Sequence, residues 1–137
     1  MKTSLFLLGS IIILGFAQSA LAITSDISLT GPSMVDSSGR KISEFHVGTQ
    51  IGVESLVKNH GTSQQKFSYV VQVLDSNGGT DSINMLSSGI GPNQNFTVAQ
   101  SFIPTAAGQY TIQVFVWDSL ISAIPLTDVL STQITVS

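Results

Sequence analysis

The sequence predicts an all-β fold, an antiparallel immunoglobulin-like β-sandwich of about seven strands behind a cleaved signal peptide, and three observations carry that prediction. The first is the stretch Gly108 to Trp117, in which Tyr110, Ile112, Val114 and Val116 fall on one face and Thr111 and Gln113 on the other. A period of two is the mark of a strand with one buried and one wetter side. The second is that the apolar runs beyond the leader are short and are punctuated by Gly, Pro, Asn and Asp, the residues that turn a chain. The third is that no segment after the leader repeats with the helical period.

The leader comes first. Met1-Lys2-Thr3 supplies one positive charge, Ser4 to Ala17 is almost unbroken apolar sequence, and Ser19-Ala20-Leu21-Ala22 sets small residues at the two positions a signal peptidase reads. Cleavage after Ala22 is expected, which places residues 23–137 outside the cytoplasmic membrane, secreted or at the cell surface. The alternative is an uncleaved N-terminal anchor. The apolar run is short for a spanning helix and lacks a charged far flank, and no second run of about 18 residues follows, so no membrane insertion is expected after cleavage.

Residues 23–137 have the length of one domain, enough to bury roughly two thirds of the unfolded surface. The formal charge of −3 becomes −4 once Lys2 is removed, and Arg40, Lys41, Lys58 and Lys66 are then the cations. That balance argues against nucleic acid or anionic lipid as a partner. Cysteine is absent, which excludes disulfide scaffolds, thiol nucleophiles and thiolate metal sites.

Residues 24–30 put Ile27 and Leu29 on one face and stop at Gly31-Pro32, so an edge position or a bend is expected there, with Met34-Val35 a resumption. Asp36 to Lys41 is a loop by composition. Thr49 to Lys58 aligns Ile51, Val53, Ser55 and Val57 on one face as a second strand. Phe67 to Leu74 is rich in β-branched and aromatic residues, with Phe67, Tyr69, Val71 and Val73 inward. A weaker strand is marked by Ile83, Met85 and Leu86, a further one runs from Asn95 to Ile103, and the last from Leu130 to Val136. The connection Asp118 to Thr127 is unusually apolar for a loop, carrying Leu120, Ile121, Ile124, Pro125 and Leu126.

Ala107-Gly108-Gln109-Tyr110 resembles the tyrosine corner of immunoglobulin and fibronectin type III sandwiches, in which a Tyr hydroxyl ties the start of a strand to the preceding backbone. The paired cysteines of antibody domains are missing, which argues against a true antibody-type domain. His46 to Ile51, Phe102-Ile103-Pro104 and the Tyr110 strand are similar to segments of small exported immunoglobulin-like modules abundant in archaea, related in pattern to the CARDB adhesion-type domain. The resemblance covers most of residues 45–137 and rests on structural motifs. It implies a cell-surface sandwich and carries no active site.

Several residues invite a chemical reading. His46 and His60, with Met34 and Met85 as soft ligands, would suit a copper-carrying exported domain, but no two stand at i, i+2 or i, i+4 and the Cys of a blue-copper site is missing. Solvated or hydrogen-bonded strand-end histidines are the expectation, and no cofactor is expected. Asp75 to Asp81 alternates oxygen ligands as a calcium loop does, lacks its later acidic residue, and reads better as a tight turn. Asn95-Phe96-Thr97 is a glycosylation sequon, and Asn95 and Thr97 point outward if Phe96 points in. No G-x-S-x-G, H-E-x-x-H or phosphate-cradling loop occurs, so no enzyme is expected.

The strongest functional signal is hydrophobic. In an immunoglobulin-like order the Tyr110 strand lies beside the Phe67 strand, so outward Val70 and Leu74 would join outward Phe115 and Trp117 in an apolar stripe next to Leu120, Ile121 and Ile124. The alternative is that residues 118–126 fold back over Trp117, or that a bulge turns Trp117 inward. The sequence therefore predicts a non-catalytic binding or adhesion module at the cell surface or in the extracellular matrix, whose partners are other surface proteins or itself. A filament subunit donating residues 23–30 to its neighbour by β-augmentation is the alternative, and a copper chaperone a further one.

Overall fold

A computed structural model describes residue 23 and residues 25–137; the leader, its cleavage site and Thr24 lie outside the described residues. Seven strands follow one another: β1 Ile27–Val35, β2 Ile51–Asn59, β3 Gln65–Leu74, β4 Thr80–Ile90, β5 Asn95–Phe102, β6 Gly108–Trp117 and β7 Leu130–Val136. They form two antiparallel sheets, one ordered β1-β2-β5 and the other β4-β3-β6-β7. The described residues contain no helix.

The alternation in the sequence becomes the core. Ile51, Val53 and Val57 of β2 face Phe67, Tyr69, Val71 and Val73 of β3 and Tyr110, Ile112, Val114 and Val116 of β6, all buried. Burying that much branched and aromatic surface is what holds a disulfide-free domain of this size together. Two polar residues enter the core with their partners. Ser55, on the apolar face of β2, shares a hydrogen bond of 2.7 Å with the Tyr69 hydroxyl. Burial pushes the Tyr69 phenol up to about 12, partly offset by that hydrogen bond from Ser55. Asn59 donates to the carbonyls of Ser63 and Ile90 and accepts from the Gly61 amide, so the end of β2 is fastened to the end of β4 without an unpaired polar atom at that side chain.

β1 is the edge strand expected from Gly31-Pro32: it crosses them with a register shift between Thr30 and Ser33 and resumes its pairing with β2 up to Val35. A proline without an N–H is tolerated because β1 is an edge and the two residues bulge out of the ladder. Gly31, at φ 114, is needed there, since a Cβ would stand 3.1 Å from the Glu54 carbonyl oxygen. β4 is not a short weak strand but eleven residues long. Its Ser and Asn residues have little intrinsic strand preference, and the ladder offered by β3 decides the conformation.

Candidate functional site

The outer face of the four-stranded sheet is assembled by register. Val70 of β3 stands between Met85 of β4 and Phe115 of β6, and Ser68 stands between Ser87 and Trp117. The Phe115 and Trp117 rings lean on each other with centroids 5.1 Å apart, and both are half-buried. Ile83 and Met85 extend the apolar surface onto the β4 edge, 48% and 44% exposed. Val129, just before β7, is exposed as well.

The loop after β6 is a built structure. Leu126 N donates to Val116 O and Asp118 N to Ile124 O, which folds residues 118–126 back beside the end of β6. The Asp118 carboxylate holds the loop from within: it accepts from the amides of Ser119 and Ile124 and from the Ser122 hydroxyl. Desolvation would raise this carboxyl, but the hydrogen bonds from Ile124, Ser122 and Ser119 prevail and hold it below the usual carboxylate range. Ala123 takes the left-handed conformation, φ 51, at the turn. The result sets Ile121 in solvent, 99% exposed, with Leu120 and Ile124 exposed beside it. Leu120 and Ile121 also wall an open groove with Lys66, Ser68 and Ser87.

Not every residue expected in the stripe is on the surface. Val70 points outward but is only 2% exposed, because the longer Met85 and Phe115 side chains flank a short branched one; it supports the patch rather than contacting a partner. Leu74 also points outward and is half-buried, but the row containing Gln72 and Gln113 separates it from Val70 and Phe115. Trp117 is neither turned into the core nor fully covered: Pro125 pairs with its backbone and the residue stays half-buried. Ile83 and Met85 were missed as members of this face. Counting back from the turn at Asp75 to Gly79 pairs Val70 with Asn84; the irregularity at Asp81 shifts the β3–β4 register by one residue and brings Met85 opposite Val70 instead, a shift the sequence does not display.

The remaining candidates resolve separately. His60 hydrogen-bonds Ser28 and His46 hydrogen-bonds Ser137; one follows β2 and the other precedes it, so about 27 Å of strand separates them. Met34 is buried in the core and Met85 is exposed on β4. No three metal-ligating groups converge among the described residues. Asp75 turns its carboxylate onto the amides of Asn77 and Gly79, the geometry of a hairpin turn, with Gly78 at φ 81. Asp36 makes the same loop with Ser38 and Arg40. Asn95 and Thr97 are exposed on β5, and Phe96 between them packs on the core against Phe67, 6.3 Å between ring centroids. Tyr110 Oη donates to the Ala106 carbonyl at 2.7 Å, tying the start of β6 to the preceding backbone.

The sequence profile of the S-layer A-like family matches residues 21–137. The chain belongs to the S-layer A-like family. No curated protein matches it. Solved structures share the fold of this S-layer A-like chain at low identity. One is the alkylpurine DNA glycosylase AlkC of Pseudomonas fluorescens, bound to DNA, with a TM-score of 0.58, 10% identity and coverage of 83% of this chain and 31% of that one. Another is a β-glucosidase of Erythrobacter marinus, with a TM-score of 0.58 and 11% identity over 81% of this chain and 15% of that one. The CARDB domain of a Pyrococcus furiosus protein, in complex with di-metal ions, has a TM-score of 0.49 and 23% identity over 80% of this chain and 89% of that one. The S-layer A-like chain thus spans 31% or less of the two larger proteins, and what they share with it is the sandwich.

Proposed function

We propose that the chain is a non-catalytic module of an extracellular surface layer, and that it acts by protein–protein contact through the outer face of the four-stranded sheet and the 118–126 loop. One observation carries this reading. Ile121, Leu120 and Ile124 stand in solvent beside the half-buried Phe115 and Trp117, held there by a loop with its own hydrogen-bond network. A contiguous, ordered apolar surface of that kind marks a partner site, as singly exposed residues such as Leu56 or Val47 do not. Membership of the S-layer A-like family supports the extracellular location and the surface-layer role. The partner is another surface or extracellular protein, a second copy included.

The test is retention at the cell surface. Trp117→Ser and Ile121→Ser are expected to shed the exported chain into the medium, with at least about a tenfold loss of association, while far-ultraviolet circular dichroism is unchanged. Ile121 touches little else, so its replacement cannot act through the fold. Shed-free Ile121→Ser and Trp117→Ser chains would remove the reading. Donation of residues 23–30 to a neighbour draws no such support: β1 pairs with β2 of the same chain from Ile27 onward, and Ile27 is buried in this chain's own core.

A further inference from the structure

Each sheet of an open sandwich ends in two edges, and an edge strand with free amides is a site for another strand. Three of the four edges here are obstructed among the described residues. β1 carries Pro32 and a register shift, and Ile42 N already donates to its Met34 carbonyl. The C-terminal end of β7 is capped by residues 45–47, through a Phe45–Val136 bridge and the bonds from Ser137 N to Phe45 O and from Val47 N to Ser137 O just beyond it. β5 gives its Ser101 carbonyl to the Asn84 side chain and opens with the exposed sequon at Asn95.

β4 is different. It is eleven residues long, contains no Pro, Lys or Arg, and has one charge, Asp81, at the irregularity beside its first residues. β4 reaches β5 of the other sheet through Asn84, which donates to Ser101 O, yet exposes apolar residues on both of its sides. Ile83 and Met85 lie on the outer side, and Leu86 on the side that faces the other sheet, where it is 37% exposed. Apolar residues on an edge strand without Pro or Lys are what natural sheets avoid unless the edge is paired.

We infer that the β4 edge takes the β4 strand of a second copy of this chain, antiparallel, about a two-fold axis near Met85, joining two four-stranded sheets into one of eight. The strand is self-complementary in that register. Met85 meets itself, Ile83 comes opposite Ser87, and Asp81 comes opposite Gly89, whose neighbour on β3 is Lys66. No like charges face each other, and the one carboxylate arrives beside a cation. The two outer faces then form a continuous apolar surface, so edge pairing and the contact face proposed above are compatible, but neither depends on the other. One strand pair is a small interface, below the size of stable complexes, and gives an association that builds only at high local concentration, as on a crowded surface.

The absence of cysteine makes the test direct. Directly opposed residues have Cα atoms about 4.5–5.5 Å apart, within disulfide range. Met85→Cys, purified as exported and mildly oxidised, is expected to run mostly as a linked dimer, whereas Ala99→Cys, exposed on β5, stays monomeric. Phe115→Cys also stays monomeric, because five strand spacings, about 24 Å, separate it from its counterpart. Met85→Lys, which opposes two cations, is expected to abolish the growth of mass with concentration seen by light scattering, with the circular dichroism unaltered. Met85→Cys linking no faster than Ala99→Cys overturns the pairing. Linking at Phe115 but not at Met85 also overturns it, in favour of copies meeting face to face, and leaves the contact-face reading standing.

Discussion

The outer faces of the two sheets are written with the same period of two, yet they finish with opposite characters. At the centre of the three-stranded sheet Leu56 lies between Thr30 and Thr97; at the centre of the four-stranded sheet Val70 lies between Met85 and Phe115. Leu56 is the larger residue and is 39% exposed, whereas Val70 is 2% exposed. Burial on a sheet surface is therefore set by the cross-strand neighbours rather than by the residue itself. Short threonines leave a leucine standing proud, and long apolar neighbours close over a valine. One face stays a solvated surface around an exposed Leu56, and the other becomes a thin second layer of apolar packing whose outer atoms remain available.

The largest effect that would break this comparison is on stability. Val70→Ala is expected to cost about 2 kcal/mol, the loss of two well-packed methyl groups and the void they leave. Leu56→Ala removes more atoms, but from a site already open to water, and is expected to cost less than about 1 kcal/mol. Urea denaturation with an unchanged slope reads both. A Leu56 variant that loses more stability than the Val70 variant would mean that the outer layer around Val70 contributes no packing.

The same contrast explains which parts were legible. Inward faces of β2, β3 and β6 could be read directly, because a core-facing position is apolar whatever its neighbours are. Even Ser55 could be placed on the buried face of β2 by alternation, although its Tyr69 partner, on the next strand but in the opposite sheet, could not. Outward positions were only half legible: parity placed Val70, Phe115 and Trp117 on one face, but exposure depended on a register that no local pattern displays. β4 shows the same limit, since its length comes from β3 and its polar residues carry no strand signal. The 118–126 loop was recognisable by its apolar content, while the carboxylate that organises it was not, because Asp118 bonds backbone amides up to six residues ahead.

A smaller, local effect sharpens the contrast between the loops attached to the two sheets. Asp118 after β6 and Asp36 after β1 both have carboxyls held below the usual range; for Asp36 the causes are the Ser38 hydroxyl and the Arg40 and Ser38 amides. A carboxyl lowered in the folded state stabilises its loop above the pH at which the free group ionises, and that contribution disappears as pH falls through the folded value. Both loops should be intact at neutral pH and loosen below about pH 4. Only the Asp118 loop adjoins the tryptophan, since Asp118 follows Trp117 directly and Pro125 pairs with its backbone. Trp117 fluorescence is thus expected to shift in acid before the circular dichroism changes. Asp118→Asn should remove the early shift and Asp36→Asn should keep it; an unchanged transition in Asp118→Asn would assign it to global unfolding instead.

The smallest effect concerns the polar face. Asn95 opens β5 opposite Lys58, exposed, with Thr97 exposed two residues on and Phe96 anchored in the core. A glycan there would lie over the edge and outer side of the three-stranded sheet, away from Phe115, Trp117 and Ile121. In a host that modifies such sequons the exported chain is expected to be heavier than its sequence, and Asn95→Gln to restore the sequence mass. Because the side chain is exposed and makes no core contact, stability should move by no more than about 0.5 kcal/mol. A modified Asn95 together with unaltered surface retention in Asn95→Gln would show that sugar and protein contact occupy different faces. Loss of retention in Asn95→Gln would instead bring the polar face into the contact, and the division of labour between the two faces would fail.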